Sequence, residues 1–588
     1  MHEITRWSGL PTTLLALGVT ALAGGCTGVV DGNKAGMQPT PPGVSGGGTG
    51  GSSAVTPTVD PATCDGTEVP VPKRLVRLSF NQIANSVRAL TDDAEAAKIA
   101  STYEIGDSEH RTFPPLASPR EGSTLTDKTW ATGDKIASDI GKYAFDNVAT
   151  VSGCGATPTE DCARTYVAAF AERAYRRPLT ADEKTSLLQV VTEVLGFGGT
   201  AAQAIQFGVY AALESPGFLY RTEFGTDAKA AGPLTPSETA NQLSFFLTDG
   251  PPDKPLLDAA AAGALASSAQ VTEQVARILQ TPAAKQNLQD ALFSYFGLFG
   301  LDTVVVDSTD FNSGVRNSMY HEAELFLANN MWSGPLSNLI TARKSMISQA
   351  LAPIYGISVF PPAGVTPDAD GFALVDLPDN RAGILTQSGF LTARSRPDQP
   401  SVVGRGLLVN SALLCAANPP FPANLADQIA AVNTMLAEET ERKKSDYRTS
   451  TPPCNGCHAS FDPYGLALGN FDSIGRFTTV DAKGRPIDAS VTLPPNAGSA
   501  QVKSAAELAQ TLASGEAFST CMAKNLMLYA LAEIPTTDTT TESVTVSGCA
   551  TKAIAHMFNS TGKTFNDLIA QVAVSNTLVQ RSAGQGAP

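Results

Sequence analysis

From residue 73 onward, apolar residues recur at intervals of three and four, the period of a helix with one buried face. Ser79 stands where it can cap a helix whose apolar face is Ile83, Val87 and Leu90. The same period predicts helices over 130–148, 162–175, 181–197, 201–219, 254–262, 268–279, 284–296 and 315–331, with residues 103–127 irregular. A further helix start is written in Leu234-Thr235-Pro236-Ser237-Glu238: a capping Thr, Pro at the first helical position and an acidic first turn, ahead of Leu243, Phe246 and Leu247. Alternation is confined to 476–493, where 477–481 and 485–490 flank Ala482-Lys483-Gly484 as a hairpin. A chain of 588 residues exceeds one core at about 150 residues per domain. The expected fold class is therefore mainly α, a multi-domain helical protein with one small β-hairpin.

The N-terminus departs from this pattern. Arg6 precedes an apolar run from Leu14 to Leu22 and then Ala23-Gly24-Gly25-Cys26, the layout of a lipoprotein-type signal peptide over 1–26 with Cys26 at the acylation position. Ala23 occupies the place where a lipobox usually has Leu; without acylation the chain would be secreted or periplasmic. Residues 27–70, rich in Gly, Pro, Ser and Thr, read as a flexible tether. The Gly43-Val44-Ser45-Gly46-Gly47 inside it matches an esterase pattern but lacks the strand and helix that chemistry needs. Beyond the signal no apolar run reaches about 20 residues, so the expected membrane attachment is the lipid anchor alone. With 41 basic against 56 acidic residues and a net charge of −15, the surface repels phosphate backbones, which argues against nucleic acid.

The densest chemistry lies at Cys454-Asn455-Gly456-Cys457-His458, followed by Asp462-Pro463-Tyr464-Gly465 and Asn470-Phe471-Asp472. Two thiols one helical turn apart can add to the two vinyl groups of one porphyrin, while the adjacent imidazole reaches the iron. Cys454, Cys457 and His458 thus form a candidate attachment site for one covalent haem c, with His458 as iron ligand. Two alternatives stand beside it. Zinc requires four ligands, and nothing flanking Cys454 supplies a second pair. A thioredoxin-like pair wants a preceding buried strand, whereas Pro452-Pro453 follow a polar stretch. For the sixth iron ligand, Met522 and Met527 are candidates, each with core packing beside Leu526, Leu528 and Leu531 as its alternative reading. Arg405 could pair with a haem propionate or form an internal salt bridge. His321 and His556 read as surface or packing residues, and Asp368-Ala369-Asp370-Gly371 reads as a solvated turn rather than a calcium loop.

Six further cysteines remain: Cys64, Cys154, Cys162, Cys415, Cys521 and Cys549. An even remainder in an exported chain suggests disulfides, and six cysteines allow fifteen pairings. Cys154 with Cys162 would close a short loop, Cys521 with Cys549 would join two predicted helices, and Cys64 with Cys415 follows by elimination.

Several segments in order resemble the planctomycete-type multi-domain cytochrome proteins, built from tandem domains of unknown function. They are residues 74–79, 170–179 (Phe-Ala-Glu-Arg-Ala-Tyr-Arg-Arg-Pro-Leu), 215–221 (Ser-Pro-Gly-Phe-Leu-Tyr-Arg), 243–247 with Pro252-Asp253, 381–386, Arg405-Gly406 with 413–415, 454–472 and 521–531. The resemblance implies a cytochrome c-like domain with haem at Cys454 and Cys457 and His458 as proximal ligand. Asn241, Gly469 and Ala532-Glu533 depart from the family's usual Arg, Glu and Gly-Arg.

The expected organisation is a signal peptide (1–26), a linker (27–70), helical domains over 71–150, 151–228 and 229–357, a cytochrome c-like domain over 358–495 and a C-terminal helical domain over 496–588. The expected function is an exported c-type cytochrome-like protein of the periplasm or cell envelope, as an outer-membrane lipoprotein, moving electrons or oxidising an extracytoplasmic substrate as a haem-dependent oxidoreductase. Its partner would be a redox protein. The rival is a cell-surface binding or scaffold protein, engaging a surface polymer, in which the haem is structural or absent.

Overall fold

Helices dominate the computed structural model, and its short strands pair only two at a time. The structure describes residues 71–91, 127–227, 229–416, 426–532, 548–561 and 564–583. The signal peptide with Cys26, the linker, Cys64 and Glu533 lie outside them, as does the side chain of Cys549. Helix α1 (Phe80–Thr91) starts as expected: the Ser79 hydroxyl accepts from Gln82 N–H while the Gln82 side chain accepts from Ser79 N–H. The described chain divides into two compact units, residues 86–91 with 127–220, and residues 71–85 with 221–583.

In the first unit, α2 (Asp127–Asp146), α3 (Glu160–Tyr175) and α4 (Ala181–Gly196) all pack against α5 (Ala201–Glu214). Helix α5 can hold the centre because Ala204, Ile205, Val209, Ala212 and Leu213 bury more than one of its faces. Thr180 with Glu183 and Thr200 with Gln203 close capping boxes at the starts of α4 and α5. The helix expected to reach residue 219 ends at Glu214: Ser215 is extended, as the residue before Pro216 must be, and caps a separate turn, Pro216–Leu219.

The second unit gathers α6 (Pro236–Thr248), α7 (Lys254–Ala261), α8 (Ser268–Ile278), α9 (Pro282–Tyr295) and α10 (Ser313–Met331). With them pack α11 (Val402–Leu408), α12 (Glu441–Ser450), α13 (Asn455–His458), α14 (Asp462–Ala467), α15 (Ala505–Ser514), α16 (Glu516–Leu531), α17 (Gly548–Thr561) and α18 (Phe565–Ala573). Helix α6 begins at Thr235 with the capping box and N1 proline that its sequence announces. Antiparallel strands β1 (Lys344–Ser348) and β2 (Phe372–Asp376) pair Met346 with Leu374, a ladder that the sequence pattern does not announce. The expected hairpin over 476–493 is present as a turn, with Asp481 and Arg485 bonded and a single bridge between Val480 and Pro486. Its second arm ends in a two-residue strand, Val491–Thr492, that pairs with Gln501–Val502.

Two buried carboxylates tie distant segments together. Glu223 accepts from Arg74 Nε at 2.7 Å and Arg581 Nε at 2.8 Å, which joins both ends of the described chain to one side chain. Burial raises its pKa, but the charges of Arg74, Arg581 and Arg221 outweigh that and leave it at about 2. Glu322, on α10, accepts from Ser388 Oγ at 3.0 Å, Ser345 Oγ at 3.2 Å and the Tyr355 hydroxyl. The Arg381 guanidinium lies over the Tyr355 and Phe471 rings, 4.1 and 4.9 Å from their centroids, and donates to the carbonyls of Ile354, Thr386 and Gly475.

Candidate functional site

Helix α12 starts on a Thr440 cap and ends at Ser450, and the chain crosses exposed Pro452 and Pro453 into α13. There Cys457 N–H and His458 N–H both bond to the Cys454 carbonyl, at 3.2 and 3.0 Å, so the two thiols and the imidazole share one turn. Cys454 and Cys457 are free thiols and partly exposed. A Cβ placed on Gly456 would meet nothing within 4 Å, so the turn faces open space at that position.

His458 is held from one side. Its Nδ1 lies 2.9 Å from Asp462 Oδ1, and its ring packs 5.0 Å from that of Phe461. Asp462 is fully buried, and its other oxygen accepts from Arg448 Nε at 2.8 Å and Ser445 Oγ at 3.1 Å. A carboxylate can only accept here, so Nδ1 carries the proton, and the neutral imidazole then has its lone pair on Nε2 for a ligand bond.

At the base of the site two glycines let α11 and α14 approach closely. A Cβ on Gly465 would sit 1.8 Å from the Val402 carbonyl oxygen, and one on Gly406 would sit 2.1 Å from that of Phe461. Arg405, 1% exposed, donates to the carbonyls of Leu391, Leu468, Phe471 and Asp472. Its guanidinium is thereby committed to the main chain rather than to a carboxylate of a ligand.

Met522 and Met527 are both fully buried in α16, which packs against α6, α17 and α18, and Met527 Sδ accepts from Ser575 Oγ at 3.8 Å. Both stand in the hydrophobic core. Cys154 and Cys162 form the expected disulfide. Cys521, however, is joined to Cys415, with Cα atoms 5.2 Å apart, and this corrects both expected pairings, Cys521 with Cys549 and Cys64 with Cys415. The reason is tertiary packing: α16 packs against the π-helical turn Val409–Leu413, whose last residues bring Cys415 beside it. Asp368 accepts from Asp370 N–H and Phe372 N–H, a side-chain-closed turn leading into β2.

Asp462 as the partner of His458 is a role that the sequence motif does not assign. Its spacing of four residues from His458 was the available signal, since residues i and i+4 share a helical face. Arg448 and Ser445 had none, because α12 meets α14 only in the folded chain.

The donors fit a covalently held haem better than a bare metal. Among the described residues no group of three or more His, Cys, Asp or Glu is arranged to hold a metal ion, so Cys454, Cys457 and His458 do not converge as zinc ligands would. They present two free thiols and one imidazole held at Nδ1 instead. No helix among the described residues is long and apolar enough to cross a membrane.

The fold defines a mainly helical, multi-domain protein with small hairpins. Three family models match parts of the chain: PSD5, a protein of unknown function (DUF1595), over residues 162–223; PSD4, a protein of unknown function (DUF1592), over 234–357; and PSCyt3, a protein of unknown function (DUF1588), over 381–481. These are the tandem planctomycete-type domains, and Cys454, Cys457 and His458 lie inside the third. No curated protein and no solved structure matches the chain. Within the matched segments, Arg176, Arg381 and Arg405 are buried and spent on main-chain carbonyls, while Arg221 donates to Gln242. These four arginines cross-link buried segments.

Proposed function

We propose that this chain is an exported c-type cytochrome-like protein, carrying one haem covalently at Cys454 and Cys457 with His458 as its proximal iron ligand. The observation that supports it is the state of the cysteines. Cys154, Cys162, Cys415 and Cys521 are paired in disulfides, whereas the thiols of the Cys-x-x-Cys-His turn are both free beside an imidazole with its Nδ1 occupied. Disulfides suit an oxidising compartment outside the cytoplasm, which is also where haem c is attached. The name of the matching model, PSCyt3, points the same way. The signal-peptide layout ending at Cys26 supports export with a lipid anchor in the cell envelope.

Such a haem supplies one-electron transfer, or ligand activation where an axial position stays open. The chain's own part is to hold the imidazole still, through Asp462 and Phe461, and to fix the motif against α11. The test is the alkaline pyridine haemochrome spectrum of full-length protein matured in a host with cytochrome c assembly machinery, beside Cys454→Ala/Cys457→Ala. A band at the position of a doubly thioether-linked haem that vanishes in the variant is expected. No band in the wild type refutes the proposal and leaves the helical body as a surface binding or scaffold protein.

A further inference from the structure

The second oxygen of Asp462 shows how the site would be tuned. An imidazole that donates its Nδ1 proton to a neutral carbonyl keeps ordinary basicity at Nε2; one that donates to a carboxylate gains imidazolate character and becomes a stronger electron donor to a metal. Asp462 is fully buried, so water does not screen its charge. Arg448 Nε sits 2.8 Å from the other oxygen and draws on the same negative charge, with Ser445 Oγ at 3.1 Å as a neutral donor. His458, Asp462 and Arg448 therefore form a relay whose two ends pull in opposite directions.

We infer that Asp462 is a positioning residue that lowers the reduction potential of iron bound at His458 Nε2, and that Arg448 limits how far it does so. This rests on the covalent haem proposed above. A more basic Nε2 favours the ferric state, so the carboxylate pulls the potential down and its guanidinium partner lets it up again.

The experiment is potentiometric titration of full-length, haem-loaded wild type, Asp462→Asn and Arg448→Gln. Asn keeps the shape and an acceptor oxygen but removes the charge. A loss of 10- to 100-fold in preference for the ferric state is expected for Asp462→Asn, an upward shift of about 60 to 120 mV at 59 mV per tenfold. Arg448→Gln is expected to shift the potential downward. A purely structural role for Asp462 would give no shift, or shifts of one sign in both variants, and either result overturns the inference while the haemochrome band stands. If Asp462→Asn fails to fold, Arg448→Gln decides alone: an unchanged or raised potential overturns it. Absence of the band in wild type overturns the haem assignment and this inference together.

Discussion

Glu322 offers a measurable consequence of burying a carboxyl in the second unit. It is fully buried, and burial pushes its pKa from 4.5 up to about 7, opposed by hydrogen bonds from Tyr355 and Ser388, the charge of Arg381 and a hydrogen bond from Ser345. Between those two values the folded chain holds a proton on Glu322 that the unfolded chain has released, so stability falls as pH rises through the window. At 1.36 kcal/mol per pH unit the difference amounts to about 3 kcal/mol, absent below pH 4.5 and complete above pH 7. Glu322→Gln removes the titration, and its carbonyl oxygen can still accept from Tyr355 and Ser345. Urea unfolding of both proteins, followed by circular dichroism from about pH 4.5 to about pH 7.5, gives the stability difference at each pH. Other titrating groups cancel in that difference. The wild type is expected to lose about 3 kcal/mol relative to the variant across the window. A difference that stays constant, or moves in favour of the wild type as pH rises, refutes the reasoning.

Three backbone positions make further predictions. Gly465→Ala places a methyl 1.8 Å from the Val402 carbonyl oxygen and is expected to cost about 3 kcal/mol in urea unfolding, whereas Gly456→Ala, which meets nothing, stays within about 0.5 kcal/mol; equal effects would show that α11 and α14 do not need the glycine contact. Ala532 ends α16 in the left-handed region, φ 58°, where a side chain is strained. Ala532→Gly is expected to stabilise by about 1 kcal/mol, read as a raised urea midpoint, and a lowered midpoint would refute the strain.

The sequence by itself determined the local features: the helix starts at Ser79, Thr180 and Thr235, the periods of most long helices, and the turn that presents Cys454, Cys457 and His458. These follow from interactions within four residues, which propensity, capping and periodicity encode directly. The Ser215-Pro216 break was equally local and legible, yet the apolar period running through it masked it. Tertiary structure alone decided the partners of Cys521, the β1–β2 ladder and the donors on Asp462, all set by segments far apart in the chain. Arg448 reaches Asp462, and Arg74 and Arg581 reach Glu223, because burying a carboxylate requires a cation or hydrogen-bond donors from whichever segment packs there. That requirement is met in three dimensions and leaves no spacing to read.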